Sequence, residues 1–293
     1  MNASLPSEPL AESAQLARRL APELCRIDPQ TGERCDWNHG FWQILRLLKL
    51  NATPEDQAGL YRDAARGLKT AGRAPRVLVS GSADYGMLHQ VLAAFAGADR
   101  APEVTVVDIC ETPLALNRWY AERRGVAINT VCADMLEYAD AEAFDAVCTH
   151  SFLGQFSPEQ RERLIAKWHT LLRPDGIAVT VNRVRPDSGP AQVAFGTAQA
   201  AALRDTIVPL APSLPAALGL DAASLAREAE RYASRQRPYP VRSLEDIRAL
   251  FERGGFQMER LSCAPVRGGA AHAVRGPTVS AGADYASIIA RRL

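Results

Sequence analysis

The sequence of 293 residues predicts an α/β fold, built on a mostly parallel sheet with helices on both faces. Between residues 75 and 182, short β-branched runs alternate with amphipathic helical stretches, a pattern that requires crossover connections between parallel strands. A helical segment precedes these units, and a helical insertion follows the fifth strand. Because 47% of the residues are apolar and 23% are charged, the chain can bury a sizeable core.

Residues 1–74 are predicted to form an N-terminal lid or extension, helical throughout, on a sheet domain that spans residues 75–293. Residues 10–20 are rich in Ala, Leu and Arg, which favour helix. The apolar face of a second helix is marked by side chains three and four residues apart, namely Phe41, Ile44, Leu45 and Leu48. A third helix is expected to begin after Thr53, where a capping residue precedes a proline, and to run to about Thr70.

Five strands are predicted from the apolar runs at residues 76–80, 104–108, 127–132, 144–149 and 177–182. The helices between them are predicted at residues 87–95, 113–124 and 158–172. The insertion at residues 183–241 breaks this rhythm, because it is rich in Ala and Leu and is punctuated by prolines. A further helix is expected between Ser243 and Gly254, followed by an antiparallel pair of strands at residues 256–266 and 271–275.

The composition argues against several classes of protein. A net charge of +1 argues against a dedicated nucleic-acid binder, and no apolar run reaches the roughly 18–20 residues that cross a bilayer. The N-terminus has no basic stretch followed by an apolar one, so we expect no signal peptide and a cytoplasmic location. The preference for Arg over Lys is typical of a high-GC bacterial genome. A homodimer is compatible with these features.

The cysteines give no sign of a metal centre along the chain. The six cysteines form no C-x-x-C pair and show no metal-ligand spacing with the five histidines. Three of them, Cys110, Cys132 and Cys148, lie in or beside predicted strands. We therefore expect buried, reduced thiols and no metal site.

Candidate binding residues lie at the carboxyl ends of the first three strands, where ligands bind in open parallel sheets. The first strand leads into a glycine-rich turn, whose candidate residues are Gly81, Ser82, Ala83, Asp84 and Gly86. The second strand ends at Asp108, a carboxylate that can accept hydrogen bonds from two ribose hydroxyls, followed by Ile109. The third leads to Asp134 and Met135, an acid and an apolar side chain that suit an adenine. The alternative role of each acid is a helix N-cap or loop residue.

The residues of the turn favour one kind of nucleotide. Dinucleotide sites use the pattern G-x-G-x-x-G against a pyrophosphate, and here Ala83 replaces the second glycine. The carboxylate of Asp84 would repel a pyrophosphate by about 1–4 kcal/mol at a few ångströms. A phosphate-free adenosine with a cationic amino-acid tail would tolerate Asp84 or gain from it. These charges indicate S-adenosylmethionine, which carries an ammonium and a sulfonium, rather than NAD.

Five short motifs occur in a defined order, at residues 77–81, 106–109, 133–135, 144–147 and 171–176. In this order they resemble the class I, Rossmann-like S-adenosylmethionine-dependent methyltransferases over residues 76–182. The resemblance implies a Rossmann-like fold in which residues 81–86 hold the methionine part of the cofactor, Asp108 the ribose and Asp134 the adenine. Two positions depart from the family pattern, since Val79 stands where an acid is usual and Ala83 where a second glycine is usual. We therefore expect Asp84 to contact the amino group of the cofactor.

His150 follows the fourth strand and is the candidate general base for an acceptor that must lose a proton. Its alternative role is to contact the cofactor or to pack beneath it. Candidate acceptor-binding residues are aromatic or imidazole side chains near the cleft, namely Trp37, His39, Trp42, Phe152 and Tyr232. The first three can equally form the hydrophobic staple and cap of an N-terminal helix. Arg235 and Arg237 either hold a substrate carboxylate or lie on a solvated face.

The sequence therefore predicts an S-adenosylmethionine-dependent methyltransferase that acts on an oxygen or nitrogen of a small molecule, without nucleic-acid or membrane partners. The first alternative is an enzyme that transfers the aminocarboxypropyl arm of the same cofactor, or that cyclises it to an azetidine amino acid. The second is a nucleotide-binding module without catalysis. The third, disfavoured by the charge of the turn, is an NAD dehydrogenase.

Overall fold

The computed structural model describes residues 7–29, 32–70, 72–98, 100–189, 191–265 and 284–293. Its strands are β1 (Arg76–Ser80), β2 (Glu103–Asp108), β3 (Ile128–Cys132), β4 (Phe144–His150), β5 (Leu172–Arg183), β6 (Phe256–Pro265) and β7 (Asp284–Arg292). Its α-helices are α1 (Leu10–Leu24), α2 (Asp36–Leu47), α3 (Ala58–Arg66), α4 (Gly86–Ala94), α5 (Glu111–Arg124), α6 (Pro158–Leu171), α7 (Thr197–Ile207), α8 (Ala222–Arg235) and α9 (Leu244–Arg253). Short 3₁₀ helices occupy Pro54–Gln57, Leu153–Gln155, Val208–Ser213 and Ala216–Leu218.

The described strands form one sheet in the order β3-β2-β1-β4-β5-β7-β6. The first five strands run parallel, whereas β7 pairs antiparallel with both β5 and β6. The strand order reverses at β1, which has β2 on one side and β4 on the other. Such a reversal opens a crevice at the carboxyl ends of the strands, where ligands bind in open parallel sheets. The predicted Rossmann-like α/β fold is confirmed.

The N-terminal segment is less helical than predicted. Between α1 and α2 the chain forms a loop, closed by an antiparallel bridge between Ile27 and Arg34. α1 ends at Leu24, because its C-cap residue, Cys25, takes an extended backbone conformation. The helix expected up to about Thr70 begins as a 3₁₀ turn and ends at Arg66. The prediction that residues 1–74 are helical throughout is therefore wrong.

Two strands differ from the prediction. β5 begins at Leu172 rather than at residue 177, because Phe144 of β4 pairs with Leu172 before a bulge. β6 begins at residue 256 as predicted, but the partner strand expected at residues 271–275 lies outside the described residues. The observed partner is β7, which was not predicted, because the short apolar run around Ile288 is flanked by charged residues.

Alternate side chains of β1 enter cores on opposite faces of the sheet, as expected for a strand buried on both sides. Leu78 packs on one face with Trp168 of α6 and Phe251 of α9. Val77 and Val79 pack on the other face with side chains of α3 and α4. All five of these side chains are fully buried. The sheet is thus covered by helices on both faces.

A third core joins the N-terminal helices to the insertion. Phe41 and Ile44 of α2 pack there with Leu225 of α8 and with side chains of α1 and α7. Arg231 of α8 lies 2.9 Å from Asp36 of α2 in an ion pair at the same junction. We call α1, α2, α7 and α8 the cap, because two segments distant in sequence form one packed layer. Within the described part of the chain, no helix combines the length and apolarity needed to span a bilayer.

Candidate functional site

A cavity of about 840 Å³ lies between the carboxyl ends of the parallel strands and the cap. This volume lies in the upper part of the range for sites that bind small molecules. Most of the predicted site residues line it, namely Trp37, His39, Trp42, Gly81, Ser82, Ala83, Asp84, Asp108, Ile109, Asp134, Met135, His150, Phe152 and Tyr232. Gly86 was also predicted, but it does not line the cavity, and its N–H donates to Oδ1 of Asp84 at 2.6 Å.

The turn after β1 is tightly packed at its first residue. Gly81 has a φ of +73°, a conformation that favours glycine, and its N–H donates to the carbonyl of Val107 at 2.9 Å. A Cβ at this position would overlap Cε2 of Phe152, so the Phe152 ring packs directly on the glycine. Phe152, predicted as an acceptor-binding residue, is therefore also a wall of the turn.

Asp108 joins the turn after β1 to the turn after β2. Its Oδ2 accepts a hydrogen bond from the N–H of Ser82, and its Oδ1 accepts one from the N–H of Cys110, each at 2.8 Å. Burial raises the pKa of Asp108 to about 6, although nearby His39 and the two N–H donors lower it. A carboxylate offers about four lone-pair sites, so two remain for a ligand in the cavity.

The segment after β3 presents one polar and one apolar side chain. Oδ1 of Asp134 accepts a hydrogen bond from the N–H of Leu136 at 2.9 Å, so this acid also stabilises its own turn. Met135 is buried at the cavity wall, whereas Asp134 is exposed. Across the opening, Ile109 is 40% exposed, which is unusual for a large apolar side chain.

Asp84 lines the cavity, but one oxygen of its carboxylate is hydrogen-bonded to side chains of the cap. Oδ2 accepts hydrogen bonds from Nε2 of Gln43 at 2.5 Å and from Nη1 of Arg46 at 2.8 Å. Arg46 also pairs with Glu8 at 2.7 Å, and all three charged side chains are at most 7% exposed. The Coulomb argument against a pyrophosphate is therefore weakened, because this carboxylate is paired with a guanidinium. The expected contact between Asp84 and the amino group of the cofactor is likewise unsupported.

The buried network raises the pKa values of both Glu8 and Arg46, but for different reasons. Burial raises the pKa of Glu8, although the charge of Arg46 opposes this shift. The pKa of Arg46 rises despite its burial, because Asp84 and Glu8 stabilise the charged guanidinium. Sequence reasoning missed Arg46, since an arginine on the buried side of an amphipathic helix has no signature of its own.

His150 is held in one orientation by Tyr61 of α3. The Tyr61 hydroxyl donates to the carbonyl of Thr149 at 2.8 Å, so its oxygen can accept from Nδ1 of His150 at 3.5 Å. A proton on Nδ1 leaves a lone pair on Nε2, which is buried and has no hydrogen-bond partner among the described residues. Burial, with a smaller contribution from the charge of Arg46, lowers the pKa of His150 to about 4. The imidazole is therefore neutral at pH 7.

Two further buried polar atoms in the cavity lining have no hydrogen-bond partner within the described ranges. They are Oδ1 of Asn182, at the end of β5, and Nδ2 of Asn51, after α2. Unpaired buried polar groups are costly and rare in folded proteins. Together with Nε2 of His150, three residues of the cavity lining thus carry a buried polar atom without a partner in the described part of the chain.

Arginines line the cavity on the β5 side. Arg183 and Arg185 are 8% and 7% exposed, and both belong to the cavity lining. Burial, together with the charge of Arg183, lowers the pKa of Arg185 to about 10. Of the predicted candidates, Arg235 and Arg237 also line the cavity, with Arg235 paired to Glu33 at 2.5 Å. Sequence reasoning missed Arg183 and Arg185, because no motif marks them.

The aromatic residues of α2 both pack within the cap and face the cavity. The ring of Trp37 lies 5.9 Å from that of Tyr232 on α8, and both residues line the cavity with Trp42. The N-cap residue of α2, Cys35, makes no side-chain capping hydrogen bond. A side-chain capping hydrogen bond is therefore not observed at the start of α2, whereas Trp37 packs on Tyr232.

Three cysteines and one histidine converge where α1, α2 and the turn after β2 meet. We call them the Cys3His cluster, and its members are Cys25, Cys35, His39 and Cys110. One ligand atom from each residue lies within 4.8 Å of the others. The prediction of no metal site relied on spacing along the chain, which could not reveal a cluster drawn from three segments.

Arg46→Met is expected to lower the free energy of unfolding by about 3–5 kcal/mol, because Asp84 and Glu8 would remain buried without their cation. Urea denaturation measures this change. The control is Arg204→Met, which removes an ion pair with Asp205 from a side chain that is 42% exposed, and it should cost at most about 1 kcal/mol. Equal losses in the two variants would show that the network contributes no more than a surface pair.

The lowered pKa of His150 predicts a pH-dependent contribution to stability. In the unfolded chain the pKa of this histidine is near 6.5, whereas in the folded chain it is about 4. Between these two pH values the unfolded chain therefore binds more protons than the folded chain. The stability that neutral His150 contributes is therefore complete above about pH 6.5 and declines as the pH falls to about 4. We expect the difference in unfolding free energy between wild type and His150→Asn to shrink across this window and to stay constant above it. A difference independent of pH would contradict the lowered pKa.

Comparison with known proteins supports the assignment of the fold. Residues 86–176 match the family described as a methyltransferase domain, and a comparison with curated proteins found no match. The 1,6-didemethyltoxoflavin-N1-methyltransferase of Burkholderia thailandensis, solved with 1,6-didemethyltoxoflavin and S-adenosylhomocysteine, has 18% identity and a TM-score of 0.51. That match covers 99% of this chain and 93% of the other. At such identity, the likeness shows the fold alone.

A second solved structure leads to the same conclusion. An S-adenosylmethionine-dependent methyltransferase of Methanosarcina mazei is 13% identical, with a TM-score of 0.51 over 75% of this chain and 93% of the other. Members of the matched family use S-adenosylmethionine as methyl donor. Residues 86–176 thus match a methyltransferase domain, and the chain shares the fold of these two solved methyltransferases.

Proposed function

We propose that the protein transfers a methyl group from S-adenosylmethionine to an oxygen or nitrogen of a small molecule. The observation that carries this proposal is a cavity lined by both Asp108, with lone pairs left to accept, and His150, whose buried Nε2 has no hydrogen-bond partner among the described residues. The methyltransferase-domain match supports it. So does the volume of the cavity, which has the scale of a small-molecule site.

The residues after β1, β2 and β3 fit the parts of the cofactor. Asp108 is suited to accept hydrogen bonds from the ribose hydroxyls with its remaining lone pairs. Asp134 is suited to accept from the adenine amino group, while Met135 and the exposed Ile109 offer apolar contacts to the base. Gly81 lets the backbone turn sharply beside the methionine part.

Bound S-adenosylmethionine supplies a methyl group already activated by its sulfonium. The chain therefore has to align the acceptor and exclude water. We assign to His150 the orientation of the acceptor, through a hydrogen bond from its O–H or N–H to Nε2. A pKa near 4 makes this imidazole a weak base, so the proton moves to Nε2 once bond formation has made the acceptor atom acidic.

The arginines on the β5 side favour an acceptor with an acidic group. Arg183 and Arg185 place two guanidinium groups at the cavity wall, and guanidinium binds carboxylate or phosphate in a bidentate manner. Trp37 and Tyr232 add aromatic faces that suit a planar ring. A planar, acidic small molecule is the class of acceptor that these side chains fit.

The cap is the natural lid of this site. Its helices α1 and α2, from residues 1–74, and α7 and α8, from the insertion at residues 183–241, would close over the carboxyl ends of the strands and keep water from the sulfonium. Trp42 and Tyr232 line the cavity from these two segments. Their shared core supports a single lid, rather than two independent ones.

Calorimetry tests the cofactor assignment directly. S-adenosylhomocysteine is expected to bind the wild type, and NAD is not. Asp108→Asn should weaken S-adenosylhomocysteine by roughly 10- to 100-fold, since a charged hydrogen-bond acceptor contributes about 1.5–3 kcal/mol. Asp205→Asn, an acid of α7 outside the cavity lining, is the control and should bind as the wild type does. Unchanged affinity in a folded Asp108→Asn variant would contradict the assignment.

A further inference from the structure

Three members of the Cys3His cluster, Cys35, His39 and Cys110, line the cavity, but the cluster takes no part in the proposed methyl transfer. We propose that this cluster is a structural Zn²⁺ site that fastens the cap to the sheet. Thiolate sulfur and imidazole nitrogen are ligands that Zn²⁺ prefers, and three cysteines with one histidine are a common tetrahedral set. The inference does not depend on the proposed function, because metal content is its readout.

The distances fit one ion bound by four ligands. Sγ of Cys35 lies 3.6 Å from Sγ of Cys110. In a tetrahedral site with Zn–S bonds of roughly 2.3 Å, two sulfur atoms lie roughly 3.8 Å apart. A disulfide would bring only two of the thiols to roughly 2.05 Å and would not explain why Cys25 and His39 converge on the same point.

One ring nitrogen of His39 has a hydrogen-bond partner outside the cluster, as is usual for histidines that bind a metal through the other nitrogen. Nδ1 of His39 lies 3.4 Å from the carbonyl oxygen of Ala83. A carbonyl can only accept, so Nδ1 carries the proton in this contact and Nε2 is left to bind the metal. Donation from the other ring nitrogen to a backbone carbonyl fixes the tautomer and the orientation of a ligating imidazole.

The surroundings favour a structural rather than a catalytic ion. Cys25, His39 and Cys110 are buried and Cys35 is half-buried, so four protein ligands would complete the tetrahedron without an open position. The ligands come from the end of α1, the start of α2 and the residue before α5. An ion here would therefore join the cap to the turn that holds Asp108, whose Oδ1 accepts from the N–H of Cys110.

Elemental analysis of the full-length protein, purified with reductant and dialysed against a weak chelator, tests the proposal. We expect about one zinc per chain in the wild type and an at least tenfold lower content in Cys35→Ser. Cys132→Ser and Cys148→Ser are matched controls, one exposed and one buried, and both should keep their zinc. A zinc content of the wild type as low as that of Cys35→Ser would overturn the proposal.

A second measurement remains decisive if Cys35→Ser fails to fold. Wild-type protein stripped of metal and titrated with Co²⁺ should develop the visible absorption of a tetrahedral thiolate complex, saturating at one equivalent. Zn²⁺ should displace it, and the melting temperature should rise on reloading. Absence of these bands overturns the proposal. The free thiols are also counted in denatured, metal-free protein that has been kept without reductant from the start. A count of four instead of six would overturn the proposal too, because it would show that two cysteines form a native disulfide.

Discussion

The carboxylate of Asp108 is the constraint on which the candidate site depends. Parallel pairing of Ser80 with Val107 places the turns after β1 and β2 side by side, and Asp108 accepts a backbone N–H from each turn. Because both donors are satisfied by one side chain, the floor of the cavity is held by charge-assisted hydrogen bonds. The position of Cys110, and hence of the Cys3His cluster, follows from the same contact.

A buried charge network then sets the position of the cap. Arg46 of α2 lies between Asp84 of the glycine turn and Glu8, which precedes α1. In a site of low dielectric, such a network has few alternative arrangements, since a displaced member would remain charged and unpaired. The network therefore fixes the aromatic residues of α2 against the cavity. It also gives the carboxylate of Asp84, in the glycine turn, a cationic partner from the cap.

Sequence reasoning located the strands and their carboxyl ends, because hydrophobic periodicity and turn residues are local signals. Asp108 and His150 were found because each directly follows, or ends, a recognisable strand. The roles of Arg46 and of the Cys3His cluster could not be predicted in this way. Their partners lie tens of residues away, and only the packing of the cap on the sheet brings them together. The strand β7 was missed because its apolar run is short and flanked by charges.

The central claim is methyl transfer to a small molecule, and the most direct test uses S-adenosylmethionine labelled in its methyl carbon. Incubation with the protein and a cellular extract should move the label into an acidic molecule of low mass, with one S-adenosylhomocysteine formed per label transferred. Methylthioadenosine as the nucleoside product would contradict the claim, because it would mean that the aminocarboxypropyl arm, not the methyl group, had left the sulfur. Label found only in macromolecules would contradict it as well.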